Sequence, residues 1–66
     1  PKSMCESRVF LIKGGKREKV MDDVVRVDFL SDSVRVIDIM GNERRIKGAS
    51  INYVDLMGHE IVLEVR

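Results

Sequence analysis

The sequence predicts an all-β fold, a small barrel or sandwich of six to seven short antiparallel strands. Three observations predict it. Apolar residues occur in short runs and alternations, and no segment sustains the 3.6-residue period of an amphipathic helix. Turn residues interrupt these runs every few positions. The chain has 66 residues, and one this short buries only ~60% of the surface its unfolded form exposes, so its core is thin.

Each element follows from its residues. The run 8–13 (Arg-Val-Phe-Leu-Ile-Lys) is rich in β-formers and reads as a strand buried on both faces. Gly14-Gly15 makes a tight hairpin turn, because glycine tolerates positive φ. Residues 18–21 form a short second strand, and Asp22-Asp23 marks a bend. Val25, Val27 and Phe29 alternate with Arg26 and Asp28, the pattern of a half-buried strand. Ser31-Asp32-Ser33 is a turn of side chains that bond their own backbone.

The strand 34–40 carries its polar residues, Arg35 and Asp38, three apart, which predicts a phase slip between Val36 and Ile37. Gly41-Asn42 turns the chain into a short charged strand, 43–47, suited to an exposed edge. Residues 47–50 are irregular, with room for one 3₁₀ turn near 48–51. A strand at 51–56 follows, with a second slip between Asn52 and Asp55. Gly58-His59 closes a last hairpin. Ile61, Leu63 and Val65 then alternate with Glu64 and Arg66, leaving Val62 on the polar face.

Several apolar residues fall on the nominal outer face: Val24, Leu30, Val62 and either Phe10 or Ile12. A barrel this small cannot bury both faces, so a subunit interface, and hence a homodimer, is expected. Residues 1–3 read as an expression-derived remnant or a disordered start, with Met4 as the first natural residue and 4–66 as a single domain.

Composition narrows the function. Twelve Lys+Arg against eleven Asp+Glu give a net charge of +1, no electrostatic case for nucleic acid or an anionic membrane. No apolar stretch nears the ~20 residues that span a bilayer. A lone thiol and no export signal fit the reducing cytoplasm. With one histidine, one cysteine and no nucleophile or phosphate-cradling motif, the chain is not expected to be an enzyme.

Two features can carry binding. Lys13, Lys16, Arg17 and Lys19 surround the first hairpin, and Arg44, Arg45 and Lys47 form a second basic cluster. Together they would serve an RNA-binding barrel. However, acidic residues interleave, and Phe10, Phe29 and Tyr53 are the only aromatics available to stack bases. Phe29 looks buried by its alternation. Solvated charged faces are the simpler reading, with RNA as an alternative. A protein-interaction module without metal is another. His59, in a turn, is a solvated residue or a metal ligand if the fold brings it near Cys5.

Cys5 is the second feature. A thiolate is a soft donor suited to nickel, zinc or Cu(I). An adjacent amine or deprotonated amide closes a chelate ring on the same metal. Two chains related by a two-fold axis offer two sulfurs and two nitrogens, and four donors in a plane suit Ni(II). A lone cysteine also serves as a small apolar residue.

Met4-Cys5, Val9-Phe10-Leu11-Ile12, Gly14-Gly15 and Val24-Val25-Arg26-Val27 carry a resemblance across residues 4–66. So do Val34-Arg35-Val36, Gly48-Ala49-Ser50-Ile51, Val54-Asp55-Leu56 and Ile61-Val62-Leu63. In these the chain resembles the CooT family of small nickel-binding proteins, whose homologues have also been labelled predicted RNA-binding proteins. The resemblance implies a homodimer of small β-barrels that binds Ni(II) through Cys5 at or near the subunit interface. It implies an accessory role, nickel handling for carbon monoxide dehydrogenase maturation, with a nickel enzyme or maturation factor as partner.

Overall fold

The computed structural model describes residues 7–66, all of them strand, turn or loop. Six strands run in order: β1 (Ser7–Lys13), β2 (Lys16–Phe29), β3 (Ser33–Asp38), β4 (Glu43–Lys47), β5 (Ala49–Asp55) and β6 (Glu60–Val65). They form one sheet in the order β4-β3-β2-β1-β6-β5. The all-β expectation holds at six strands. The sheet is mixed, because β1 and β6 lie parallel while every other neighbouring pair is antiparallel.

β2 shapes the fold. Residues 18–21 and 25–29, expected as two strands, belong to one 14-residue strand. The expected bend at Asp22-Asp23 is there, with Asp23 in the left-handed region at φ 54. Register shifts against β1 and β3 interrupt β2 between Lys19 and Arg26. Such irregularities bend and twist a strand without ending it. β2 can therefore pair with β1 through its first part and with β3 through its last.

The resulting curl gathers one core from both halves of the sheet. Val9 and Leu11 of β1, Val24 of β2, Val34 and Val36 of β3 and Leu63 of β6 form it, with Val27, Ile46 and Ile61 packed against it. The sheet does not close into a barrel, although β3 comes within contact of β5 across the opening. β1 is covered on both faces as expected, with Phe10 and Ile12 half-buried on the side opposite Val9 and Leu11.

Four local expectations change. Val24 and Val62 are not left exposed: they are 3% and 0% exposed. Val25 and Phe29 turn outward instead, at 59% and 55%. The slip assigned to 36–37 is absent from β3, whose ladder with β4 is regular; the irregularity lies opposite, between Val24 and Arg26 of β2. The strand expected to reach Met40 ends at Asp38, whose Oδ1 accepts the Met40 and Asn42 backbone N–H groups at 2.9 and 2.8 Å. No 3₁₀ turn occurs near 48–51. Gly48, at φ +76, turns the chain alone and donates its N–H to the Asp32 carbonyl at 2.8 Å.

Other expectations stand. β4 is an edge strand. A later slip is also present, but earlier than the expected span between Asn52 and Asp55: the register shift lies between Ile51 and Tyr53, with the Asn52 amide bonded to Glu64.

The outer surface of β2 and β3 carries a charge cluster. Asp28 faces Arg35 across the ladder, and Arg35 Nη2 reaches Asp28 Oδ2 at 2.7 Å while Arg26 Nε reaches Oδ1 at 2.9 Å. Hydrogen bonds from Arg26 and then Arg35 hold the Asp28 carboxyl below its usual pKa. The Asn42 side chain, then its backbone, does the same for Asp38. A carboxylate whose pKa is lower folded than unfolded stabilises above its unfolded pKa, ~3.9. That contribution disappears as pH falls through the folded value. Stability should therefore decline below about pH 4, and Asp28→Asn should flatten that decline. Urea midpoints at several pH values check this, and parallel profiles for the two proteins would contradict it.

Candidate functional site

Where β1 begins, several elements converge. Ser7 pairs with Val24 of β2, and Arg8 pairs with Glu60 of β6. The Arg8 N–H donates to the His59 carbonyl at 2.9 Å, and Arg8 Nη2 donates to the Gly58 carbonyl at 3.0 Å. The strand start is thus tied to the 56–59 turn. Asp55 builds that turn, its Oδ1 accepting the Met57 and Gly58 N–H groups at 3.1 and 2.9 Å. A side chain at position 58 would push the Asp55 carboxylate aside, because a Cβ there would come within 2.9 Å of Asp55 Oδ2.

Two concavities flank Ser7. The larger, about 380 Å³, is lined by Ser7, Val24, Val25, Arg26, Val27 and Ile61. The smaller, about 100 Å³, lies between Ser7 and the turn, with Asp55, His59 and Glu60 among Val54, Leu56 and Ile61. Leu56 and Met57 project from the turn at 82% and 92% exposure. The start of β1 is therefore bordered by uncovered apolar surface on both sides.

On the other face of β1, Arg17 holds three groups together. Its guanidinium stacks 4.3 Å from the centre of the Phe10 ring, a cation–π contact. Its Nη2 pairs with Glu60 at 2.9 Å and its Nη1 donates to the Tyr53 hydroxyl at 3.3 Å. Arg8 shares Glu60 at 3.4 Å.

The sequence-predicted residues fare differently. Cys5, with Met4, lies outside the described residues. His59 lies beside the start of β1, its carbonyl bound by the Arg8 N–H. Of the basic residues, Arg17 is bound as above, Lys19 pairs with Asp22 at 3.0 Å, and Arg44 reaches the Val20 carbonyl at 3.5 Å. Lys13, Lys16, Arg45 and Lys47 have no ion-pair partner among the described residues. Phe29, expected to be buried, is exposed. Arg8 and Glu60 were not singled out by sequence; their roles come from a pairing across the sheet that no local motif announces.

Among the described residues, no three His, Cys, Asp or Glu side chains are grouped to hold a metal. No helix of the described residues is long and apolar enough to cross a membrane.

Known proteins place this architecture. A protein from Archaeoglobus fulgidus described as uncharacterized is 41% identical over 44 residues, which is 67% of this chain and 96% of the relative. A crystal structure assigned to CooT from Carboxydothermus hydrogenoformans superposes with a TM-score of 0.80 at 26% identity, covering 94% of this chain and 98% of that one. The sequence profile described as "CO dehydrogenase accessory protein CooT" matches residues 4–64, a range that includes Met4 and Cys5 and leaves 1–3 outside. The chain therefore belongs to the CooT family of CO dehydrogenase accessory proteins.

Proposed function

We propose that this protein is a cytoplasmic, non-catalytic Ni(II)-binding accessory protein, a homodimer that holds the metal between two copies through Cys5. The observation that carries this reading is the family match, which runs through Met4-Cys5 into a β1 start tied to the 56–59 turn. CO dehydrogenase is a nickel enzyme, so an accessory protein for it has a metal to deliver.

The donor chemistry fits. The Cys5 thiolate and a neighbouring backbone nitrogen form one chelate per chain, and Ni(II) accepts four such donors in a plane. The described residues offer no three-ligand group of their own. In this reading the site draws on Cys5 and on a second copy of the chain. Exposed Val25 and Phe29 on β2 give that copy apolar surface to cover. The partner that takes the metal is a nickel enzyme or its maturation factor.

The test is a Ni(II) titration of the chain beginning at Met4, followed by thiolate-to-metal absorption. Saturation at one nickel per two chains is expected, with both affinity and absorption lost in Cys5→Ala. Equal binding and equal absorption in the two proteins would overturn the reading.

A further inference from the structure

We infer that two copies of this chain pair by exchanging their Leu56–Met57 turns across a two-fold axis near Ser7, an inference that rests on the homodimer reading above. A two-fold interface is self-complementary, so the surface that inserts a group must also receive one. The described chain carries both halves side by side. The projecting half is the 56–59 turn, whose backbone Asp55 fixes. It holds Leu56 and Met57, the two most exposed large apolar side chains among the described residues. The receiving half is the concavity of about 380 Å³ walled by Val24, Val25, Val27 and Ile61. Ser7 and Ile61 also line the smaller concavity that Leu56 borders, so the two halves are contiguous. A cavity of ~150 Å³ holds a benzene ring. The larger concavity thus has room for the leucine and methionine side chains of a partner's turn.

Charge repeats the match. Arg26 stands in the wall of the concavity, with its Nε on Asp28 and the rest of its guanidinium unpaired among the described residues. Asp55 stands at the base of the turn, and its Oδ2 accepts no hydrogen bond among the described residues. A turn that enters the concavity brings its Asp55 toward Arg26 of the other copy, once in each direction. An unlike partner would need an apolar knob and a carboxylate at this same spacing. A second copy already has both, and the pairing needs no metal.

Sedimentation equilibrium in chelator tests this on the wild-type chain, Cys5→Ala, Leu56→Glu and Val25→Lys. Leu56 and Val25 are exposed, so both variants should fold, and circular dichroism checks that they do. Wild type and Cys5→Ala should be dimeric at micromolar concentration. Leu56→Glu and Val25→Lys should each dimerise at least about 30-fold more weakly. Mixing these two should restore a dimer, because one contact then sets the introduced carboxylate against the introduced amine while the other stays wild-type. Single variants that dimerise as wild type does overturn the proposal, as does a mixture that stays monomeric. A wild-type dimer that forms only with Ni(II), and is lost in Cys5→Ala, overturns this pairing and leaves the Cys5 reading standing. The expected metal-free behaviour without any thiolate-to-nickel band supports this pairing and overturns the Cys5 reading instead. A wild-type chain that is monomeric with and without Ni(II) gives the concavity another occupant and overturns both.

Discussion

Leu63→Ala should cost about 2–5 kcal/mol and leave the protein largely unfolded at modest urea concentrations. Leu63 is 0% exposed and is among the largest fully buried side chains in the described chain. It lies on β6 between Leu11 of β1 and Ile51 of β5 in the sheet register. Truncation removes its burial and leaves a cavity between two paired strands that cannot readily collapse into it. Typical domains hold roughly 0.05–0.15 kcal/mol per residue, so a chain this short has little margin. Circular dichroism in a urea series measures the shift. A loss below about 1 kcal/mol would contradict the packing at this position.

Val62→Asp should be comparably severe, though a reading of the strand's alternation alone makes it harmless. Val62 follows Leu63's neighbour pattern on the opposite face, where Phe10 and Tyr53 are its partners in register. It is 0% exposed although it lies outside the main core cluster. The substitution loses apolar burial and places a carboxyl among aromatic and aliphatic groups, a cost of about 3–5 kcal/mol. The introduced carboxyl would favour its neutral form in the folded state. The variant's deficit should therefore shrink as pH falls, opposite in sign to the acid response expected from Asp28 and Asp38. A Val62→Asp protein as stable as wild type at neutral pH would show that the outer face of β6 is open to water.

These two valine and leucine positions show how far the fold was legible. Strict alternation located β6 and put Leu63 inward, because an isolated ladder obeys the period of two. It put Val62 on the opposite face without showing that it is buried there, because whether that face is covered depends on Phe10, Arg17 and Tyr53 arriving from other strands. Val24 and Val25 were misread for a different reason. Irregularities at Asp23 and between Val24 and Arg26 put Val24 inward and Val25 outward, while Val27 stays against the core. Aspartate adopts the left-handed region only as a minority state, so the sequence marked a bend without fixing its phase. The Gly14-Gly15 turn and the charged edge at β4 were legible because their causes are local. The parallel pairing of β1 with β6 was not, since its partners lie at opposite ends of the described chain.

The candidate site divides the same way. Cys5 stands out in the sequence by residue type and by its place next to Met4, and it lies outside the described residues. That His59 sits beside the β1 start could not be read, since it depends on the Arg8–His59 backbone bond across the sheet.

The parallel β1–β6 pair also has a consequence for how the chain acquires its structure. Arg8 and Gly58, 50 positions apart, are linked by a hydrogen bond. The central strand therefore lacks its second neighbour until nearly all of the described chain is available. The β1–β2 hairpin can form early, but one flank of β1 then presents open backbone groups. Folding dominated by such distant pairings is slow for its size, typically milliseconds to seconds. During that interval the strand nearest Cys5 is the one least protected from joining another chain.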